Sequence, residues 1–212
     1  MDFEQVIKSR KSTRQFTDQK IALETIKKVL QEAQLAPSWV NSQPYHVHLA
    51  MGDSLERVRA QQGKFDNSGA KGNPDLPMMS RKDWPTQAQS NMAEWTNGLG
   101  AAGKEMGPAS AKLYNAQAIL YLTLPKGYSL WSLYDLGSFG NSIVLAATNQ
   151  GLASMTAYQF IKYPEMLRKE LNIADDEKII IGIGLGYPDD SALVNTIKSS
   201  RMDLDDILTI HR

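Results

Sequence analysis

The 212-residue chain carries 23 basic and 23 acidic residues, with 42% hydrophobic and 22% charged positions. That suits one globular domain with a sizeable core, and the charge balance excludes bulk attraction to nucleic acid or an anionic membrane. The lack of cysteine removes disulfides, thiolate nucleophiles, iron–sulfur ligation and zinc ribbons. With no signal-like N-terminus and no apolar run of membrane-spanning length, a cytoplasmic protein is expected.

Asp2 is placed to cap a first helix carrying Phe3, Val6 and Ile7 on one face. The segment S-R-K-S-T-R-Q-F, Ser9 to Phe16, follows and gathers Arg10, Lys11 and Arg14 among hydroxyls. Leu23, Ile26, Leu30 and Ala33 then recur at helical spacing, and the pattern stops at Pro37. Tyr45 to Ala50 alternates as a strand, and Asp53 or Ser54 is positioned to cap a short helix through Leu55 and Val58. From Gly63 to about Pro108 the periodicity dissolves among glycines and prolines. Yet Phe65, Trp84 and Trp95 lie there, so the segment is a long excursion, helical around Gln87 to Trp95. A strand at Ala118 to Leu124 and a buried helix from about Tyr134 to Gln150 come next. Pro164 and Glu165 open another helix reaching Leu171, and Lys178 to Leu185 reads as a central strand. Strands and helices mix without βαβ alternation, so the fold class is α+β.

Several segments are candidates for chemistry. In R-K-S-T-R two arginines flank Ser12, a spacing suited to bidentate binding of one phosphate; a solvated polar connector is the competing reading. The loop A-P-S-W-V-N-S-Q-P-Y, Ala36 to Tyr45, presents amides and an indole to a flat heterocycle, or simply joins helix to strand. G-I-G-L-G-Y-P, Gly182 to Pro188, lacks the spacing of a dinucleotide fingerprint and fits close packing inside a strand. His46 and His48 share a strand face, with no acidic residue near them in sequence, and read as surface histidines rather than half of a metal site. Lys198 and Arg201 form a second basic spot near the C-terminus.

In this order the segments resemble the FMN-dependent nitroreductase family. The resemblance rests on R-K-S-T-R-Q-F, A-P-S-W-V-N-S-Q-P, L-A-A-T-N-Q-G-L-A-S at Leu145 to Ser154, G-I-G-L-G-Y-P and the late Arg201. It implies one domain over residues 1–212 with a variable excursion at about 63–108. It also implies a mostly antiparallel sheet flanked by helices, in an intertwined homodimer. Arg10, Ser12 and Arg14, with Lys11 between, would hold the FMN phosphate and ribityl chain, completed by Arg201 near Ser199. Pro37, Ser38, Trp39 and Asn41 would reach the flavin of the neighbouring subunit. Thr156, Ala157 and Tyr158 would run beside the ring, with a backbone N–H near N5 and no catalytic side chain. Many relatives have Pro, Glu and Gly beside N5, and a lysine where Ser199 stands here.

The implied reaction passes hydride from NADH or NADPH through FMN to nitroaromatic, quinone or related small-molecule acceptors by a ping-pong mechanism. The alternatives are an FMN-dependent enzyme of different reaction, of dehalogenase or dehydrogenase type, and a flavin-binding or sensing protein without turnover. The helix around Ile143 and the terminal M-D-L-D-D-I-L-T-I segment are the expected dimer contacts.

Overall fold

Asp2 starts the first helix, α1 (Phe3–Ser9), by accepting the Gln5 amide on its carboxylate at 2.9 Å, which satisfies one of the orphan donors of the first turn. There follow α2 (Leu23–Ala33), β1 (His46–Met51), α3 (Asp53–Asn67), α4 (Thr86–Asn97), α5 (Met106–Ala111) and β2 (Ala118–Pro125). The chain continues through α6 (Leu130–Asn149), β3 (Ala153–Ala157), α7 (Pro164–Leu171), β4 (Glu177–Gly186) and α8 (Leu204–Ile207). This computed structural model describes all residues, Met1 to Arg212.

The four strands lie in the order β1-β2-β4-β3, every neighbour antiparallel. β2 is central and buried on both faces, which explains its unbroken apolar run. Its side chains serve two cores in alternation. Leu120, Leu122 and Leu124 meet α2 and α6 through Ile26, Val29, Phe139 and Ile143. Ile119 and Tyr121 face the other way, towards Leu55, Val58, Phe160 and Leu167. Each such side chain contributes about 1.5–3 kcal/mol by leaving water.

One irregularity shapes the site. Leu122 pairs with Ile181 but Thr123 pairs with Ile179, so Ile180 is an extra residue in β4, a β-bulge. Ile180 and Ile181 therefore both lie on the α6 face, while Ile179 joins the opposite core. The glycines of β4 serve packing, as expected. A Cβ on Gly182 would stand 2.4 Å from the Phe160 Cβ, and one on Gly186 2.6 Å from the Phe16 ring.

Three boundaries differ from the sequence reading. α3 runs through Gly63 to Asn67, because Leu55, Val58 and Gln62 bury one continuous face and tertiary packing overrides the glycine. Its N-cap is Gly52; the Ser54 hydroxyl instead bridges the Met51 amide and carbonyl. α6 begins one turn early, at Leu130, where the Ser129 hydroxyl caps Ser132. Neither it nor any other helix is long and apolar enough to cross a membrane.

His46 and His48 acquire a partner that register supplies from far away in sequence. His48 Nε2 stands 2.9 Å from Glu177 and His46 Nδ1 3.7 Å from it, while the Thr123 hydroxyl donates to the same carboxylate. No group of three or more ligating side chains is arranged to hold a metal. Burial pushes the Glu177 pKa up, but the hydrogen bonds from Thr123 and His48 outweigh it and leave it below the usual glutamate range. A depressed carboxylate adds stability that is present above its unfolded pKa and lost as pH falls through the folded one. Urea midpoints taken from neutral pH to below about pH 4 should therefore drop more for the native protein than for Glu177→Gln. Equal drops would show that the cluster contributes nothing to acid sensitivity.

Candidate active site

The basic segment does not float as a connector. Residues 12 and 13 meet the uncovered edge of β3, and residues 16 and 17 pass on beyond the end of β4. Ser12 bridges Ser154, the Thr13 amide donates to Ser154 O at 2.9 Å, and the Phe16 and Thr17 amides reach Tyr114 and Tyr187 carbonyls. Buried Asn195 fixes the register, its Oδ1 accepting the Arg14 and Gln15 amides at 2.7 and 3.1 Å and its Nδ2 donating to Gln15 O. Asn195 went unnoticed in the sequence, since an asparagine in L-V-N-T carries no signal of its own.

This strip ends at a cleft of about 600 Å³. Its floor is apolar: Ile180 and Ile181, placed together by the bulge, and Ile183. One wall is α6, through Leu133, Leu136, Gly137, Gly140, Asn141 and Val144. Those α6 positions recur at helical spacing, so a stripe with small residues at its centre was the missed sequence signal. A Cβ at Gly137 would meet nothing within 4 Å, which leaves bare backbone facing the cleft. Leu76 closes another side, and Arg10, Ser12, Thr156 and Arg201 supply the polar end. No carboxylate lines it.

Of the sequence-predicted residues, Arg10, Ser12, Thr156 and Arg201 come together here. Arg10 and Arg201 converge from opposite ends of the chain, and the Arg201 guanidinium is otherwise held only by the Ser199 and Ser200 carbonyls, at 3.2 and 2.7 Å. Lys11 is exposed and donates to Asn195 O at 3.4 Å. Strand alternation turns Ala157 into the far core, and Tyr158 opens a 3-10 turn there. Ser199 lines a neighbouring cleft of about 780 Å³ between α4 and the tail, which shares Arg201 but is also lined by Glu94, Asp203 and Asp206. The larger cleft is thus the poorer host for an anion.

Pro37, Ser38, Trp39 and Asn41 lie outside the slot of their own chain. The Trp39 amide donates to the buried Asp135 carboxylate at 2.9 Å, and the Trp39 ring stacks on Trp131 at 4.9 Å. Val40, Asn41 and Gln43 hold positive φ, strained for a β-branched valine, and Trp39 and Val40 project into solvent.

Arg14 does not itself line the cleft, but beside Ser12 it provides the test of fit for an anionic group. It is only 6% exposed, its Nε has no partner, and Nη1 donates to Ser12 O at 3.3 Å. Neither Arg10, Lys11, Arg14 nor Arg201 has a carboxylate within 4.0 Å. Burial lowers the Arg14 pKa, the nearby Tyr114 partly opposing it. A desolvated cation without a counter-charge is costly, and a phosphate ester beside Ser12 is the kind of group that offsets it.

The chain is similar to known proteins along almost its whole length. The chain is 26% identical to the nitrobenzene nitroreductase of Ectopseudomonas oleovorans, covering 96% of this chain and 94% of that protein. It is likewise 26% identical to the 4-nitrobenzoate reductase of Pseudomonas putida, over 94% and 91%. The crystal structure of the FMN-dependent nitroreductase NfnB from Mycobacterium smegmatis, in complex with NADPH, superposes with a TM-score of 0.92 at 26% identity, covering 99% of this chain and 97% of that one. The nitroreductase family profile matches residues 7–187, from the first helix to the end of β4, and the chain belongs to that family.

Proposed function

We propose that the chain is an FMN-dependent oxidoreductase that draws electrons from NADPH or NADH and reduces nitroaromatic compounds. Quinones are further acceptors, and the two half-reactions follow one another at one slot in ping-pong order. The observation that carries this reading is the slot itself, an apolar floor ending in Arg10, Ser12 and Arg201 with no carboxylate among its lining residues. Family membership and similarity to nitrobenzene and 4-nitrobenzoate reductases and to an FMN- and NADPH-binding structure support it.

FMN, when bound, supplies two-electron transfer at its flavin ring. The chain supplies the rest. Arg10 and Arg201 offer guanidinium forks, and Ser12 a hydroxyl, to the phosphate. Arg14 compensates charge beside them, with Lys11 and Ser199 at the margin. Ile180, Ile181 and Ile183 would exclude water from the slot, and the β3 backbone at Thr156, which lines it, would stand beside the flavin, with Ala157 and Tyr158 following. No general acid or base is required of a side chain.

A second copy completes the site. Phe3 and Ile7 on α1, Trp39 and Val40 on the loop, and Leu130, Trp131 and Tyr134 on α6 are all exposed, a larger apolar display than a monomer keeps. Ile143 is fully buried within its own chain, so the first turns of α6 serve the homodimer instead. The strained loop then carries Pro37, Ser38, Trp39 and Asn41 to the other chain's slot.

The test is spectroscopic. Purified protein should retain a flavin spectrum that bleaches with NADPH or NADH and returns with a nitroaromatic. Arg10→Ala and Arg201→Ala should each weaken FMN binding about 10- to 100-fold, the value of a hydrogen bond to a charged group. A protein that takes up no FMN overturns the reading.

A further inference from the structure

Beyond the end of β3 half of β4 lacks a strand neighbour on the side away from β2, since β3 pairs only with Gly182 to Gly186. Residues 72–76 cover that half. The Asn73 amide donates to Lys162 O at 3.0 Å, and Gly72 lies so close that an added Cβ would be 2.4 Å from the Tyr158 hydroxyl. Asp75 then does what a strand would have done: its carboxylate accepts the Ile179 amide at 2.9 Å. The same carboxylate pairs with Arg168 of α7, the two side chains being 8% and 9% exposed, and Lys178 approaches at 3.4 Å. Arg168 also donates to Glu177 O at 2.8 Å and to Glu165 at 3.1 Å. Leu76, the next residue, enters the slot beside Ile180 and Ile181. After it every residue from Pro77 to Gln87 is exposed. Asp75 is thus the last buried anchor ahead of Leu76.

We propose that Asp75 and Arg168 are positioning residues for the cofactor slot: their buried ion pair holds residues 72–76 across the uncovered half of β4, so that Leu76 closes the slot against Ile180 and Ile181. The proposal rests on the FMN reading for the slot's occupant. The latch itself is a property of the chain alone.

Two measurements separate the two. In the FMN-free protein, amide exchange at Asn73 and at Ile179, the two amides this segment holds, should quicken in Asp75→Asn while β2 keeps its protection; unchanged exchange at both overturns the latch. Should Asp75→Asn fail to fold, Arg168→Lys keeps the charge, loses the fork and is expected to show the same local loosening. In the FMN titration, followed by quenching of flavin fluorescence, Leu76→Ala and Asp75→Asn should each bind about tenfold more weakly, the cost of most of one leucine contact. The double variant should bind no more weakly than the weaker single, because Asp75 acts through Leu76. Additive losses, or native affinity in Asp75→Asn, overturn the proposal. If the native protein takes no FMN, the FMN reading fails and the exchange measurement still decides the latch.

Discussion

Replacing Arg14 with methionine should make the FMN-free protein more stable, by about 1–2 kcal/mol, while weakening FMN binding about tenfold or more. The two signs have one cause. The guanidinium is buried with an orphaned Nε and no carboxylate, so folding without an anion leaves desolvation uncompensated. Methionine fills similar space without that cost. It forfeits the contact of Arg14 with the Trp95 ring at 5.8 Å, which offsets less than the gain. Urea denaturation of the desalted protein gives the first sign and a fluorescence titration the second. With saturating FMN a tenfold weakening, about 1.4 kcal/mol, should close most of that gap, and the order of stabilities inverts where the weakening exceeds the FMN-free gain, since a ligand that binds only the folded state stabilises the tighter binder more. A destabilised FMN-free Arg14→Met would mean that the cation is already satisfied.

The second large effect concerns β4. Gly184→Ala places a methyl group 2.6 Å from Phe160 Cζ, an overlap that the packed interior cannot absorb, and should cost about 3 kcal/mol. Phe160→Leu removes Cζ and should recover most of that loss in the double variant. Gly182→Ala behaves differently, because it meets the Phe160 Cβ at 2.4 Å, an atom that leucine keeps. Its loss should persist in the Phe160→Leu background. Denaturation midpoints of the four variants distinguish a specific clash from general loosening, and rescue of both glycine positions alike would point to loosening.

What could be read in advance was what lies close in sequence. α7 begins at Pro164 and ends at Leu171 because proline suits a first turn and Asn172 takes the left-handed conformation that stops the helix. β2 and β4 announced themselves as apolar runs, and R-K-S-T-R announced its cluster of cations and hydroxyls in residue types alone. What escaped depends on pairing. Arg168 and Asp75 are 93 residues apart, and His48 and Glu177 129 apart, so only sheet register and the course of the excursion join them. Asn195 escaped for the same reason: its value lies in two amides 180 and 181 residues away. The strained loop was legible as polar and rigid. The stack of Trp39 on Trp131 was not, since tertiary contact decides it.

The bulge in β4 makes Ile180 a removable letter. Strands are read in twos, so deleting almost any residue of the sheet would turn a length of chain inside out. Ile180 is an exception, because its neighbours Ile179 and Ile181 already pair with adjacent residues of β2, Thr123 and Leu122. Excising it would close the ladder into a regular strand, with Ile179 and Ile181 still facing the cores they face now. Only the floor of the slot would change, losing one of its isoleucines. The slot's depth is thereby written in a single position that the rest of the fold does not count.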